Sequence, residues 1–130
     1  MTVVDMEAGL EHLSRSGGTL RYVDHLLVVV EPYAKAIETA RRTVRLAREL
    51  GIVRTSLLGS KVREPSDLTL LESLSAELGV ELRSAIPYDE AARLADRAGL
   101  PTIEVAPESA LVRAVDDLAK RLGAAQPAAA

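Results

Sequence analysis

The residues best suited to chemistry stand at the start of the chain, in Thr2-Val3-Val4-Asp5-Met6-Glu7-Ala8-Gly9. Thr2, Val3 and Val4 favour extended backbone and predict the end of a strand, so Asp5 would sit where that strand leaves a sheet. Ligands of open parallel sheets bind at the carboxyl ends of the strands. A carboxylate there can hold a metal-bound water, and Gly9 offers an N–H that no side chain obstructs. Together they suit a Mg²⁺-bound phosphate. The same residues also fit a plain strand followed by an acidic turn, since an apolar run plus an acid is a weak motif.

Other reactive groups read as structural. Glu11 and His12 are adjacent and share no helical face, so they make a poor metal pair. His25, at the start of an apolar run, reads as packed or hydrogen-bonded. Arg41, Arg45 and Arg48 form a basic stripe that fits a solvated helix face better than a partner surface, with Glu38 and Arg42 as an i,i+4 pair. Asp89 precedes a helical pattern and reads as its N-cap, with Arg93 four residues on as an ion-pair partner.

Composition narrows the classes. Sixteen basic against nineteen acidic residues in 130 leave a net charge of −3, which argues against binding nucleic acid or an anionic membrane. With no Phe or Trp and three tyrosines, there are few rings on which to stack single-stranded bases. The longest strongly apolar run, Leu26 to Val30, is far short of the roughly 20 residues that cross a bilayer. The start of the chain lacks a signal-peptide pattern, which points to the cytoplasm. Zero cysteines exclude disulfides and Cys-ligated zinc.

The elements that would position these residues alternate. Strands are expected at Val23–Glu31, Ile52–Leu58 and Val80–Ile86, the last partly alternating and so nearer an edge. The Leu26–Val30 run has no polar alternation, as expected of a strand covered on both faces. Helices are expected from Ala34 to Leu50, from Pro65 to Leu78, from Glu90 to Ala98 and from Pro107 to Gly123. The last carries an apolar stripe of Leu111, Val115, Leu118 and Leu122. Residues 101–107 read as a short extended piece, and Gly17-Gly18 as a loop. The pattern predicts an α/β fold, a parallel sheet with helices on both faces, in one domain over residues 1–123 with a disordered tail at 124–130.

Asp5 to Leu13, followed by Val23-Asp24-His25-Leu26-Leu27-Val28-Val29-Val30-Glu31-Pro32, resembles the second half of a MinD/ParA-like P-loop ATPase. Within that group it is most similar to the CooC type, associated with nickel insertion into carbon monoxide dehydrogenase. The resemblance runs from Thr2 to about Leu122. It implies that Asp5 acts as the residual Mg-water acid and that Gly9 meets the nucleotide. It also implies that Ser60 and Lys61 stand where the family has Asn-Lys, and that Pro87, Tyr88 and Asp89 form a loop beside the base. Ser60 departs from the family's asparagine: a hydroxyl has one donor, so the two-point amide contact to adenine cannot be copied.

Two family features are missing from the sequence. One is the glycine-rich Lys-Gly-Gly-x-Gly-Lys-Thr loop that cradles the triphosphate, and the other is the CooC-type Cys-x-Cys metal site. Both would lie ahead of Met1. In the family the loop's strand lies between the strands ending at Asp5 and Glu31, so its absence would expose two sheet edges. Those strands would pair with each other, take a strand from a P-loop-bearing chain, or dimerise across the edge. The expectation is a piece of an ATPase that binds Mg-ATP only with a completing P-loop segment and is inactive alone. The alternative is a non-catalytic interaction or dimerisation module on the same scaffold.

Overall fold

Three apolar runs separated by amphipathic stretches give three parallel strands joined by helical crossovers. The computed structural model describes residues 1–6 and 22–124. β1 (Leu26–Val30), β2 (Thr55–Val62) and β3 (Glu81–Pro87) form one sheet in the order β1-β2-β3. Both pairings are parallel, Val28 lying opposite Leu57 and Leu57 opposite Leu82. α1 (Ala34–Glu49) joins β1 to β2, and α2 (Pro65–Leu78) joins β2 to β3. Crossovers between adjacent parallel strands are right-handed, so successive ones in the same direction share a face. Ile37, Ala40 and Val44 of α1 and Leu71 and Leu74 of α2 accordingly pack with Val28, Val30 and Leu57 in one core. After β3 come α3 (Glu90–Ala98), the single turn α4 (Thr102–Val105) and α5 (Ala110–Ala124). α5 covers the opposite face, where Leu118 meets Leu58 and Ile86. Helices therefore lie on both faces, and among the described residues β3 is an edge strand, as its alternation suggested.

Local chemistry sets the element ends. Gly51, at φ 77°, ends α1, and its turn lets the Ile52 N–H reach the Ala47 carbonyl at 3.0 Å. α2 opens with Pro65 as its first residue, and the Asp67 carboxylate accepts from the Arg63 and Glu64 N–H groups at 2.9 and 3.1 Å. That satisfies two donors at the start of the helix. Gly59 lies in mid-strand because α2 comes close there: a Cβ would fall 2.6 Å from Cδ1 of the fully buried Leu71.

Five expectations are corrected. Residues 1–6 form no strand and are exposed, so Thr2–Val4 do not pair with β1. A strand exists only through its ladder, and none is offered to this segment among the described residues. β2 begins at Thr55 and runs on to Val62, because Ile52 is used instead to close a cluster with Ala47 at the end of α1. Residues 102–105 are helical, with the Glu104 and Val105 N–H groups donating to the Pro101 carbonyl at 3.1 and 3.2 Å. No neighbouring strand is in place there to hold them extended. The α5 stripe uses Ala114 in place of Val115, which is 43% exposed, so its buried side follows 111, 114, 118 and 122. α5 extends through Ala124, the first residue of the expected tail. Gly9, Glu11, His12 and the Gly17-Gly18 loop lie outside the described residues.

Candidate functional site

The carboxyl ends of the three strands bring three short segments together: Glu31-Pro32-Tyr33 after β1, Ser60 to Arg63 at the end of β2, and Pro87-Tyr88-Asp89 after β3. This is the end of a parallel sheet where ligands bind. Between the first two segments and the start of α2 lies a cavity of about 270 Å³ lined by Glu31, Pro32, Tyr33, Lys61, Arg63 and Asp67.

A bulge shapes this mouth. Gly59 pairs with Ala85 and Val62 with Pro87, so Ser60 and Lys61 together oppose Ile86. Lys61 takes φ 55°, the one positive value outside glycine among the described residues. A side chain in the left-handed region costs roughly 1–2 kcal/mol and persists only where the surroundings fix it. Here Lys61 Nζ is held by the Glu31 carboxylate across the β1–β2 boundary. This contact raises the Lys61 pKa and lowers that of Glu31, in each case chiefly through the hydrogen bond between them. Beyond the bulge the Val62 carbonyl accepts from the Tyr88 N–H at 2.9 Å, and the Arg63 guanidinium lies 3.7 Å from the centre of the Tyr88 ring. The Tyr88 hydroxyl donates to Glu90 at 2.9 Å, and Glu90 also takes the Arg93 Nε at 2.8 Å. These bonds, that from Arg93 first, bring the Glu90 carboxyl down to about 2.

Asp89 is a double cap. One carboxylate oxygen accepts from the Ala91 N–H at 2.9 Å and the other from the Leu111 N–H at 3.0 Å, so it satisfies donors at the N-termini of α3 and α5 together. The Leu111 bond and then the Ala91 bond lower its pKa. With both oxygens spent on backbone, Asp89 does not pair with Arg93, which turns to Glu90 one turn away.

The structure thus assembles Ser60, Lys61, Pro87, Tyr88 and Asp89 in one place. Asp5 lies on exposed irregular backbone. Glu31, Tyr33, Arg63 and Asp67 were missed as lining residues. Glu31 and Pro32 carried a signal only as a strand terminus, and nothing local marks Arg63 as a neighbour of Tyr88. His25 is hydrogen-bonded, its Nε2 2.8 Å from the Oγ of buried Ser56. Burial there, aided by Arg54 and Arg83, lowers its pKa. The arginine stripe fastens α1 to α2, with Arg41 in a two-pronged contact with Glu77 at 2.8 and 3.0 Å and Arg48 donating to the Leu78 carbonyl. The Glu38–Arg42 pair forms as expected. Among the described residues no group of three or more His, Cys, Asp or Glu is placed to hold a metal ion, and no helix is long and apolar enough to cross a membrane.

Comparison with known proteins gives the lineage. The chain is 36% identical over 105 residues to the carbon monoxide dehydrogenase accessory protein CooC of Rhodospirillum rubrum, a match covering 81% of this chain and 38% of that protein. It is 40% identical over 90 residues to an uncharacterized ATP-binding protein of Methanocaldococcus jannaschii, over 69% of this chain and 34% of the relative. The chain is homologous to both proteins. In fold it matches the cell division ATPase MinD of Pyrococcus furiosus with a TM-score of 0.72 at 20% identity, over 94% of this chain and 51% of MinD. No protein-family model matches the chain. The chain spans about a third to a half of the length of the proteins it matches, and its parallel sheet flanked by helices matches the MinD-like P-loop NTPase fold.

Proposed function

We propose that this chain is the base-side portion of a CooC-type ATP-binding protein: it supplies one wall of the nucleotide pocket, while a P-loop segment supplies the phosphate cradle. The observation that carries the reading is the juxtaposition of Ser60-Lys61 with Pro87-Tyr88-Asp89 at the mouth of the parallel sheet, reached through the bulge at Ser60 and Lys61. In this reading Ser60, Lys61, Pro87, Tyr88 and Asp89 surround the base. Asp5 and Gly9 act only once the P-loop strand is in place, Asp5 holding a Mg-bound water and Gly9 meeting a phosphate oxygen. Phosphoryl transfer works by positioning and charge neutralisation, and this sequence holds no phosphate-binding lysine loop. The chain alone is therefore inactive and binds Mg-ATP weakly. By descent the complete protein serves metallocentre maturation, with nickel insertion into carbon monoxide dehydrogenase as the client process and the cytoplasm as its compartment. Neither nucleic acid nor a membrane is a partner.

Titration calorimetry tests the reading. Mg-ATP should give little heat with the chain alone and saturable binding once a P-loop-bearing segment of a CooC-type protein is added. Hydrolysis by the chain alone, abolished in Asp5→Ala, would overturn it.

A second reading rests on β1. Val29, in mid-strand, is 63% exposed, and Ser60 replaces the base-reading asparagine of the family. Both suit a non-catalytic module that docks or dimerises through this side of the sheet. It requires a stable homo-oligomer without nucleotide, which light scattering coupled to size exclusion would detect.

A further inference from the structure

The mouth holds a flat cationic surface that the nucleotide reading does not use. The Arg63 guanidinium lies over the Tyr88 ring at 3.7 Å while Arg63 also lines the cavity. Tyr88 is fixed from two sides, its N–H on the Val62 carbonyl and its hydroxyl on Glu90. The ring is therefore a rigid base for the guanidinium. The cavity's two carboxylates are already engaged, Glu31 with Lys61 and Asp67 with the Arg63 and Glu64 N–H groups. Each thus has one oxygen spent on the protein, and a carboxylate only accepts, so neither supplies the donor-and-acceptor pair that an adenine edge requires. Ser60 offers one hydroxyl where that two-point contact would need an amide. Stacking on a planar cation, in contrast, uses the face that every purine presents.

We propose that Arg63, stacked on Tyr88, is the base-binding element of this mouth, taking a purine by its face and so accepting adenine and guanine alike. The proposal rests on the nucleotide-binding reading above and deepens it. Edge contacts to a base discriminate strongly, because the wrong base leaves buried polar groups unpaired, whereas face contacts discriminate little. Arginine suits this role and lysine does not, since only the guanidinium is planar.

The test is nuclear magnetic resonance on the 130-residue chain, whose three tyrosines and lack of Phe and Trp leave an uncrowded aromatic region. Adenosine, guanosine and inorganic tripolyphosphate are titrated separately at millimolar concentrations. Both nucleosides should move the Tyr88 ring protons and the Arg63 Nε–H, with midpoints within about threefold of each other, while Tyr22, 86% exposed, stays fixed. Arg63→Ala and Arg63→Lys should each weaken both nucleosides by about tenfold with the amide spectrum otherwise unchanged, because the plane and not the charge is what they lose. Tripolyphosphate should leave the Tyr88 ring unmoved. Discrimination between adenosine and guanosine above about thirtyfold would overturn the proposal, as that demands edge reading. So would full binding by Arg63→Lys, a tripolyphosphate shift equal to that of the nucleosides, or no shift with either nucleoside. If nucleosides fail while the completed protein still binds Mg-ATP in calorimetry, the stacking role falls and the nucleotide reading stands.

Discussion

The two sides of β1 are built from the same residue types and meet opposite fates. Val28 and Val30 point into the α1–α2 core and are 7% and 1% exposed, whereas Val29 between them is 63% exposed. Connectivity explains the difference. Both crossover helices fall on one face, and among the described residues α5 alone returns to the other, where it packs on Leu58 of β2 and Ile86 of β3. A helix is about 10 Å across and strands are about 4.8 Å apart, so one helix covers about two strands. Among the described residues the third, β1, is left open on that face. The comparison separates a side of the sheet that this chain completes by itself from one suited to receiving another element.

The sharpest break in the comparison is on the completed side. Leu71 is fully buried against the sheet and in van der Waals contact with the mid-strand Gly59. Leu71→Ala should destabilise the chain by about 2–5 kcal/mol, the range for a buried leucine that leaves a cavity in a core unable to collapse around it. Urea unfolding followed by circular dichroism would check this. A loss under about 1 kcal/mol would mean that the α2 face is looser than its burial implies.

Next in size is the acid response of the mouth. Asp89, Glu31 and Glu90 all have pKa values below their ordinary ones in the folded chain. A carboxylate with a depressed folded value stabilises above its unfolded value, and that stability is lost as pH falls through the folded one. The thermal midpoint should therefore decline slightly below about 6.5, where unfolding lets His25 take up the proton that its burial disfavours, and fall further from about 4.5, the ordinary glutamate value, toward about 2, the value for Glu90. Asp89→Asn should lower the midpoint at pH 7, because an amide cannot accept from two helix N-termini at once, and should flatten the acid limb. A midpoint at pH 7 equal to that of the native chain would show that α3 and α5 are capped in another way.

What was legible in the sequence was whatever depends on near neighbours. Ile37, Ala40, Val44 and Ala47 share a helix face by spacing alone, and all four are buried. Asp89 announced itself as a cap because capping is decided within one turn. Parallel order followed from alternation and handedness. The mouth was harder, because it depends on register. The bulge at Ser60 and Lys61 sets which residue of β2 meets Pro87, and only then does Arg63 reach Tyr88. β2 was misplaced at its start because Ile52 looks like a strand residue and serves as a plug for α1. The one-turn α4 was read as extended because Ile103 and Val105 alternate, yet no ladder is there to hold them. The run Leu26–Val30 predicted cover on both faces, and an apolar strand does say that both faces are to be covered. It does not say that the cover comes from the same chain.

Val29 makes that last distinction measurable, with the smallest effect on stability. Val29→Ser removes apolar surface that the isolated chain already leaves exposed, so its unfolding free energy should change by no more than about 0.5 kcal/mol. The same change places a hydroxyl on a surface that an added P-loop segment, or a second copy, would dehydrate, where an unpartnered hydroxyl costs about 1–3 kcal/mol. Stability in urea should thus be unaltered while assembly weakens by about tenfold, in calorimetry with the P-loop segment or in the self-association seen by light scattering. A variant that lost stability in the isolated chain would show that Val29 is packed by its own chain. One that kept both stability and assembly would leave the open face of β1 without a part in either reading of the protein.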